Sequence, residues 1–308
     1  MSTFNIVVDT SCDLPLEYIN EHSIEILPIP FDLDGTAYDS GDWQGISDKE
    51  FYNALRNGGV AKTSQTNPDT YSTAFIECAK KGEDALFLVL SSGLSSTYQS
   101  AVIALQDVGE TYPDCNIYPI DTIAATSGQG LLAMLAVKKR AEGLSAEETA
   151  VWLEKRKHCC LGFFTVDDLM YLHRGGRLSK LSAIAGSVLG IKPILNLAPN
   201  GTLALKDKAR NRKAAFNNMI NQIKRSIEPG AALDTVLISH TDCVEDAEML
   251  AAIVRNSICV NQVIVMMMGP VIGAHLGPGA ITLSFEADIT REEYESGREA
   301  PEKLVVNG

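Results

Sequence analysis

Ala85-Leu86-Phe87-Leu88-Val89-Leu90-Ser91-Ser92-Gly93-Leu94-Ser95-Ser96-Thr97-Tyr98-Gln99-Ser100 reads as three elements in succession. Ala85 to Leu90 is an apolar run of strand length, bounded by turn residues, and reads as a buried strand. Ser91 to Ser96 is a hydroxyl-rich loop around Gly93, and a helix follows. At a helix start, backbone N–H groups without intrahelical partners and the positive end of the dipole point outward, and serine hydroxyls add donors. Strand, hydroxyl loop and helix in that order suit a small anion, and they equally suit a serine-rich N-cap with no ligand.

The same unit recurs on either side. Phe4 to Val8 alternates as a strand and ends at Asp9-Thr10-Ser11, a polar cluster placed to face a ligand. Leu14-Pro15 starts a helix to about Glu21, Ile24 to Ile29 is a second strand, and Asp34-Gly35 marks a hairpin. Ser47-x-x-Glu50 and Ser145-x-x-Glu148 are capping boxes, and Asn67-Pro68 is an N-cap with proline at the first helical position. Lys62 to Asn67 reads as a polar loop, Asn116 to Ile120 as a strand, and Gly130 to Arg140 as a helix ending by Gly143. Strands alternating with helices imply a parallel sheet.

From Leu161 the order changes. A strand to Thr165 and a helical stretch from Asp167 to His173 lead to Arg174-Gly175-Gly176-Arg177. That tetrad reads either as an anion contact or as a helix end before a new cap at Ser179. A small-residue apolar helix is expected over 183–189, then a hairpin around Pro199-Asn200-Gly201, then the basic run Lys206, Lys208, Arg210, Arg212, Lys213. Helix 211–226, strand Thr235 to Ser239, helix Glu245 to Arg255 and strand Gln262 to Met268 complete a second α/β unit. Met268 to Ala280 then packs four glycines, two prolines and His275 into a shaped loop. A last strand runs to Phe285, and the polar tail from Asp288 is expected at the periphery. The chain therefore divides into two α/β domains, residues 1–157 with a parallel sheet and 158–308 carrying the Gly-rich His loop.

Composition narrows the chemistry. At 308 residues with net charge −13, the chain has no electrostatic footprint for nucleic acid. Its apolar runs are too short for a transmembrane segment, and its start has no basic or long apolar leader, so a cytoplasmic location is expected. Seven cysteines without a C-x-x-C pair are expected to be reduced, with no metal site. There is no Gly-x-x-x-x-Gly-Lys-Ser/Thr for ATP and no Gly-x-Ser-x-Gly around Ser64 or Ser95. Gly128-x-Gly130-x-x-Ala133 lies too far from its strand and lacks the following acid of a dinucleotide site. What remains is hydroxyls, helix starts and one histidine, the parts of a carboxylate acceptor.

Asp9-Thr10-Ser11, Lys62-Thr63-Ser64-Gln65, Leu94-Ser95-x-Thr97-Tyr98-Gln99-Ser100-Ala101, Tyr171-Leu172-x-x-Gly175-Gly176-Arg177, Ile191-Lys192-Pro193-Ile194-Leu195 and Gly269-Pro270-Val271-Ile272-Gly273-x-His275-x-Gly277-Pro278-Gly279 occur in this order. Together these motifs resemble the DegV family over nearly the whole chain. The resemblance implies two α/β domains with a lipid-binding cleft between them and a long-chain fatty acid as ligand, with no other cofactor. By position it implies that Thr63, Ser95 and His275 hold the carboxylate, with Ser64, Ser96, Thr97 and Gly277 around it. It also implies contacts of Arg177 and Arg210 with a partner or phosphate. Some members serve as the subunit that presents the acyl chain to a separate ATP-binding kinase subunit, which forms the acyl phosphate. About fifteen methylenes at about 0.8 kcal/mol each would supply on the order of 12 kcal/mol before ordering costs, so the polar groups chiefly fix position. The chain departs from the family at Ser96 and Thr66, where glycine and proline are usual. Two other functions stay open: an enzyme acting on an acyl substrate through Ser95 with His275 as base, and a lipid-gated sensor.

Overall fold

The computed structural model describes residues 4–38, 46–177 and 191–300. The expected cap at Ser179 and the apolar helix expected over 183–189 lie outside the described residues. The first half runs β1 (Asn5–Asp9), α1 (Leu16–Glu21), β2 (Ile24–Leu27), β3 (Phe31–Leu33), β4 (Thr36–Tyr38), α2 (Asp48–Arg56), β5 (Ala61–Thr63), α3 (Pro68–Lys81), β6 (Ala85–Val89), α4 (Thr97–Thr111), β7 (Ile117–Asp121), α5 (Ser127–Ala141) and α6 (Ala146–Arg156). β2, β1, β6 and β7 form a parallel sheet in that order. Every residue of β6 is buried, as its unbroken apolar run requires. Both capping boxes form, and Asn67 accepts the Thr70 N–H at the start of α3. Asp34 and Gly35, both at positive φ, turn β3 into β4.

The second half runs β8 (Cys160–Thr165), α7 (Met170–Arg174), β9 (Lys192–Leu197), β10 (Leu203–Ala209), α8 (Arg212–Ser226), β11 (Ala232–His240), α9 (Val244–Ser257), β12 (Cys259–Met267), α10 (Pro270–Leu276), β13 (Ile281–Glu286) and α11 (Arg291–Glu295). Its six-stranded sheet has the order β10-β9-β8-β13-β11-β12 and is mixed, with only β11 and β12 parallel. α5 packs against both large sheets, and one core runs from Ile6 and Leu88 through Leu132 and Ala136 to Leu237 and Met266. A helix buried on this scale needs small residues, which Gly128, Gly130 and Ala133 supply. The glycines that mimic a dinucleotide fingerprint are thus helix-packing positions.

Three expectations change. Lys62 to Asn67 is not wholly loop, because β5 pairs with β3 and carries Thr63. The segment after Met268 is not an extended loop: Pro270 at the first helical position starts α10, and His275 lies in its last turn. The tail beyond Asp288 is not peripheral, since Arg291 is only 4% exposed and donates hydrogen bonds to the Ile123 and Cys160 carbonyls.

Candidate functional site

The parallel sheet reverses its winding between β1 and β6, because β1 leads to a strand on one side and β6 to a strand on the other. Sheets of this kind place ligands outside the carboxyl ends of the strands at such a reversal. The two loops there differ. Asp9, 2% exposed, accepts from Ser11 N–H (3.0 Å), Ser11 Oγ (2.5 Å), Gln129 Nε2 (3.1 Å) and Leu90 N–H (2.7 Å). Thr10 Oγ1 accepts the Ile29 N–H. Asp9-Thr10-Ser11 is consumed in holding β1, β6 and α5 together and does not face a ligand, contrary to its reading in the sequence. Burial raises the Asp9 pKa, and the hydrogen bonds oppose that rise.

The β6–α4 loop, by contrast, opens onto a cavity of about 310 Å³ lined from both halves of the chain. Ser95 Oγ accepts the Thr97 N–H (3.2 Å) and lies 2.8 Å from Thr97 Oγ1, so it closes a turn onto the first residue of α4. Ser96 has φ −81, where an L-residue is unstrained. Gly93 is required by close approach: a Cβ there would enter the backbone at Gly201, the turn of the β9–β10 hairpin. Ser91 Oγ donates to the Gly201 carbonyl (2.9 Å) and fixes that contact.

Thr63 ends β5, and its Oγ1 lies 2.7 Å from His275 Nε2. The loop beyond it is tied down by Ser64 N–H to Pro30 O (2.9 Å) and by Thr66 Oγ1 to Pro28 O (3.0 Å). The Thr66 hydroxyl thus ties this loop to the segment that precedes β3. His275 is aimed by α10, which is itself braced. Gly269 N–H donates to Asp13 Oδ1 (2.8 Å), and Tyr52 Oη donates to Met268 O (2.6 Å). A Cβ at Gly273 would fall on the Tyr52 hydroxyl, and one at Gly277 inside the Tyr171 ring.

The His275 ring lies against the Gly175 backbone, and its Nδ1 has no hydrogen-bond partner among the described residues. Burial, assisted by the Arg177 guanidinium, lowers its pKa to about 4, so the ring is neutral at pH 7. With hydrogen on Nε2, His275 donates to Thr63 and leaves the threonine hydrogen for a ligand; the other tautomer reverses these roles. Arg177 donates Nε–H to Leu94 O (3.2 Å) and Nη1–H to Gly175 O (2.5 Å) and has no acidic partner among the described residues. Its pKa is lowered by burial. Among the described residues a cation, a neutral imidazole and hydroxyls therefore meet without a counter-charge, an arrangement that accepts a carboxylate.

The wall beside this polar end is apolar. Ile29, Leu90, Leu94, Ala125, Val271 and Ile272 pack as one cluster and all line the cavity. Ala125 belongs to a loop in which Ile123 (φ 47) and Thr126 (φ 46) hold a conformation that β-branched residues rarely adopt. Thr63, Ser64, Ser95, Ser96, Arg177 and His275 line the cavity; Thr97 and Gly277 do not. Thr97 reaches it only through Ser95, and Gly277 is buried behind Tyr171. Arg210 is exposed, away from the cavity. The basic run is divided, since Lys206 pairs with Glu295 and Arg212 with Asp167 and Asp246. Among the described residues no group of side chains could hold a metal ion, and no helix is long and apolar enough to cross a membrane.

Known proteins share this architecture. Residues 3–288 match the profile described as "Uncharacterised protein, DegV family". A DegV domain-containing protein of Clostridium perfringens is 38% identical over 289 residues, covering 94% of this chain and 99% of that protein. The chain belongs to the DegV family. Among solved structures, a stearic-acid-binding protein from Eubacterium ventriosum is 28% identical, with TM-score 0.81, and covers 96% of this chain and 100% of its own. DegV from Bacillus subtilis, described as a fatty acid binding protein, is 27% identical with TM-score 0.81, covering 94% and 100%.

Proposed function

We propose that this protein binds a long-chain fatty acid in the cavity, with the carboxylate held by Thr63, Ser95 and His275 and neutralised by Arg177. The observation that carries this reading is the Arg177 guanidinium, without an acidic partner among the described residues, beside the Thr63–His275 pair and next to an apolar stretch of wall. A carboxylate leaving water must regain donors, and these groups supply them. The fatty acids bound by similar structures support the same ligand class. In this proposal residues 1–157 and 158–308 act as two domains that share the ligand. The protein presents the acyl carboxylate to a separate ATP-binding kinase subunit, with the exposed Arg210 as a docking contact, and itself catalyses nothing. Direct acyl hydrolysis is less well supported, because Ser95 Oγ bonds to Thr97 while His275 bonds to Thr63, so nucleophile and base are not joined.

Solvent extraction of denatured protein, followed by mass spectrometry of the extract and titration of delipidated protein with long-chain acids, tests the ligand. We expect a co-purified acyl chain and saturable uptake; neither would be seen if the reading is wrong. ATP-dependent acyl phosphate formation on adding a kinase from the same cell tests the presentation role.

A further inference from the structure

The cavity has a second polar region that a carboxylate at His275 does not use. Thr282 and Ser284 of β13 face the start of α5, and Ser127 Oγ lies 2.8 Å from each of their hydroxyls. Two glycines keep this region open. A Cβ at Gly162 would stand 2.8 Å from Ser284 Oγ, and one at Gly128 would meet Ala124 at 3.2 Å. Beside it, Arg291 donates Nε–H and Nη2–H to Cys160 O (3.2 and 2.8 Å) and Nη1–H to Ile123 O (2.5 Å). Ser127, Thr282, Ser284 and Arg291 are all buried, and all line the cavity.

A count of hydrogens shows what is missing. The three hydroxyls carry three hydrogens and make two hydrogen bonds, so one O–H has no acceptor among the described residues. Arg291 carries five N–H groups and uses three; among the described residues no carboxylate hydrogen-bonds to it, although the charges of Glu292 and Asp121 reach it. A hydrocarbon tail reaching this region offers no acceptor, and buried donors left facing hydrocarbon are costly. The proline-free, glycine-opened wall is therefore mismatched to a plain alkyl chain and matched to one bearing oxygen.

Resting on the fatty-acid reading above, we propose that Ser127, Thr282, Ser284 and Arg291 form a subsite for an oxygen substituent along the acyl chain, so that the preferred ligand is a hydroxy or oxo fatty acid. The carboxylate and the second oxygen would then fix the chain at two points, and the distance between them would select the substituted carbon.

Calorimetric titration of delipidated protein with stearic acid and with its monohydroxy and mono-oxo derivatives, the oxygen moved along the chain, provides the test. At least one positional isomer should bind roughly tenfold tighter than stearic acid, about the worth of one well-made hydrogen bond. The hydroxy and oxo arms separate a subsite that both donates and accepts from one that only donates. In Thr282→Val/Ser284→Ala protein the ratio of derivative to stearic affinity should fall towards one. The ranking in the unaltered protein decides even if that variant does not fold: stearic acid binding as tightly as every derivative overturns the subsite and leaves the fatty-acid reading standing. A preference that survives the double substitution also overturns it. Failure of stearic acid and all derivatives to bind would refute both readings together.

Discussion

Asp9, at the end of β1, and His275, in the last turn of α10, are both ionisable side chains withdrawn from water, yet their surroundings are opposite. Asp9 accepts four hydrogen bonds from Ser11, Gln129 and Leu90, all supplied by its own half of the chain. His275 has one partner, Thr63, contributed by the other half, and a second ring nitrogen with none among the described residues. Polar groups saturated by their neighbours hold a fold together, whereas groups with unspent hydrogen-bonding capacity at a cavity wall are ready for a ligand. In the sequence both follow an apolar strand, Asp9 directly and His275 after a Gly- and Pro-rich stretch.

The largest effect that would sharpen this contrast is in stability. Asp9→Ala strands three donor groups on Ser11 and Gln129 and the Leu90 N–H, so unfolding in denaturant should require about 3–5 kcal/mol less than in the unaltered protein. His275→Ala should do the reverse, lowering fatty acid affinity about 10- to 100-fold in titrations while moving the denaturation midpoint little. Equal losses of stability from the two substitutions would break the comparison.

A smaller effect comes from pH. The His275 pKa falls from its ordinary 6.5 to about 4 on folding because burial disfavours the imidazolium. Above pH 6.5 the ring is neutral in both folded and unfolded chains. Between 6.5 and 4 the unfolded chain binds the proton and the folded chain does not, so stability is lost as pH falls through that window, by at most about 3 kcal/mol. Thermal melts of His275→Gln should show a shallower loss over the same range. A bound carboxylate favours the imidazolium, so the ring followed by NMR should titrate at higher pH once a fatty acid is added.

The elements legible in the sequence are those that local chemistry determines. The capping boxes at Ser47 and Ser145, the Asn67-Pro68 start and the buried β6 run are each stabilised within a few residues, so pattern and structure agree. β5 was obscured because three residues carry little propensity of their own, and its strand form comes from pairing with β3. α10 was obscured because its glycines argue against a helix, while Tyr52 and Tyr171 need the space those glycines leave. Arg291 looked peripheral because the carbonyls that bury it, Ile123 and Cys160, lie far away in the chain. The polar end of the cavity was legible as Thr63, Ser95 and His275 only through family resemblance. That Arg177 lies close enough to His275 to share its cluster needs three-dimensional neighbours to be seen.

The backbone contact between Gly93 and Gly201 bears on protein engineering. The loop that carries Ser95 has the hairpin turn lying against it, held by Ser91 to Gly201, 110 residues apart in the chain. A graft of that loop into another scaffold should therefore carry the hairpin with it, so even this one part of the site is built from two separate pieces of chain.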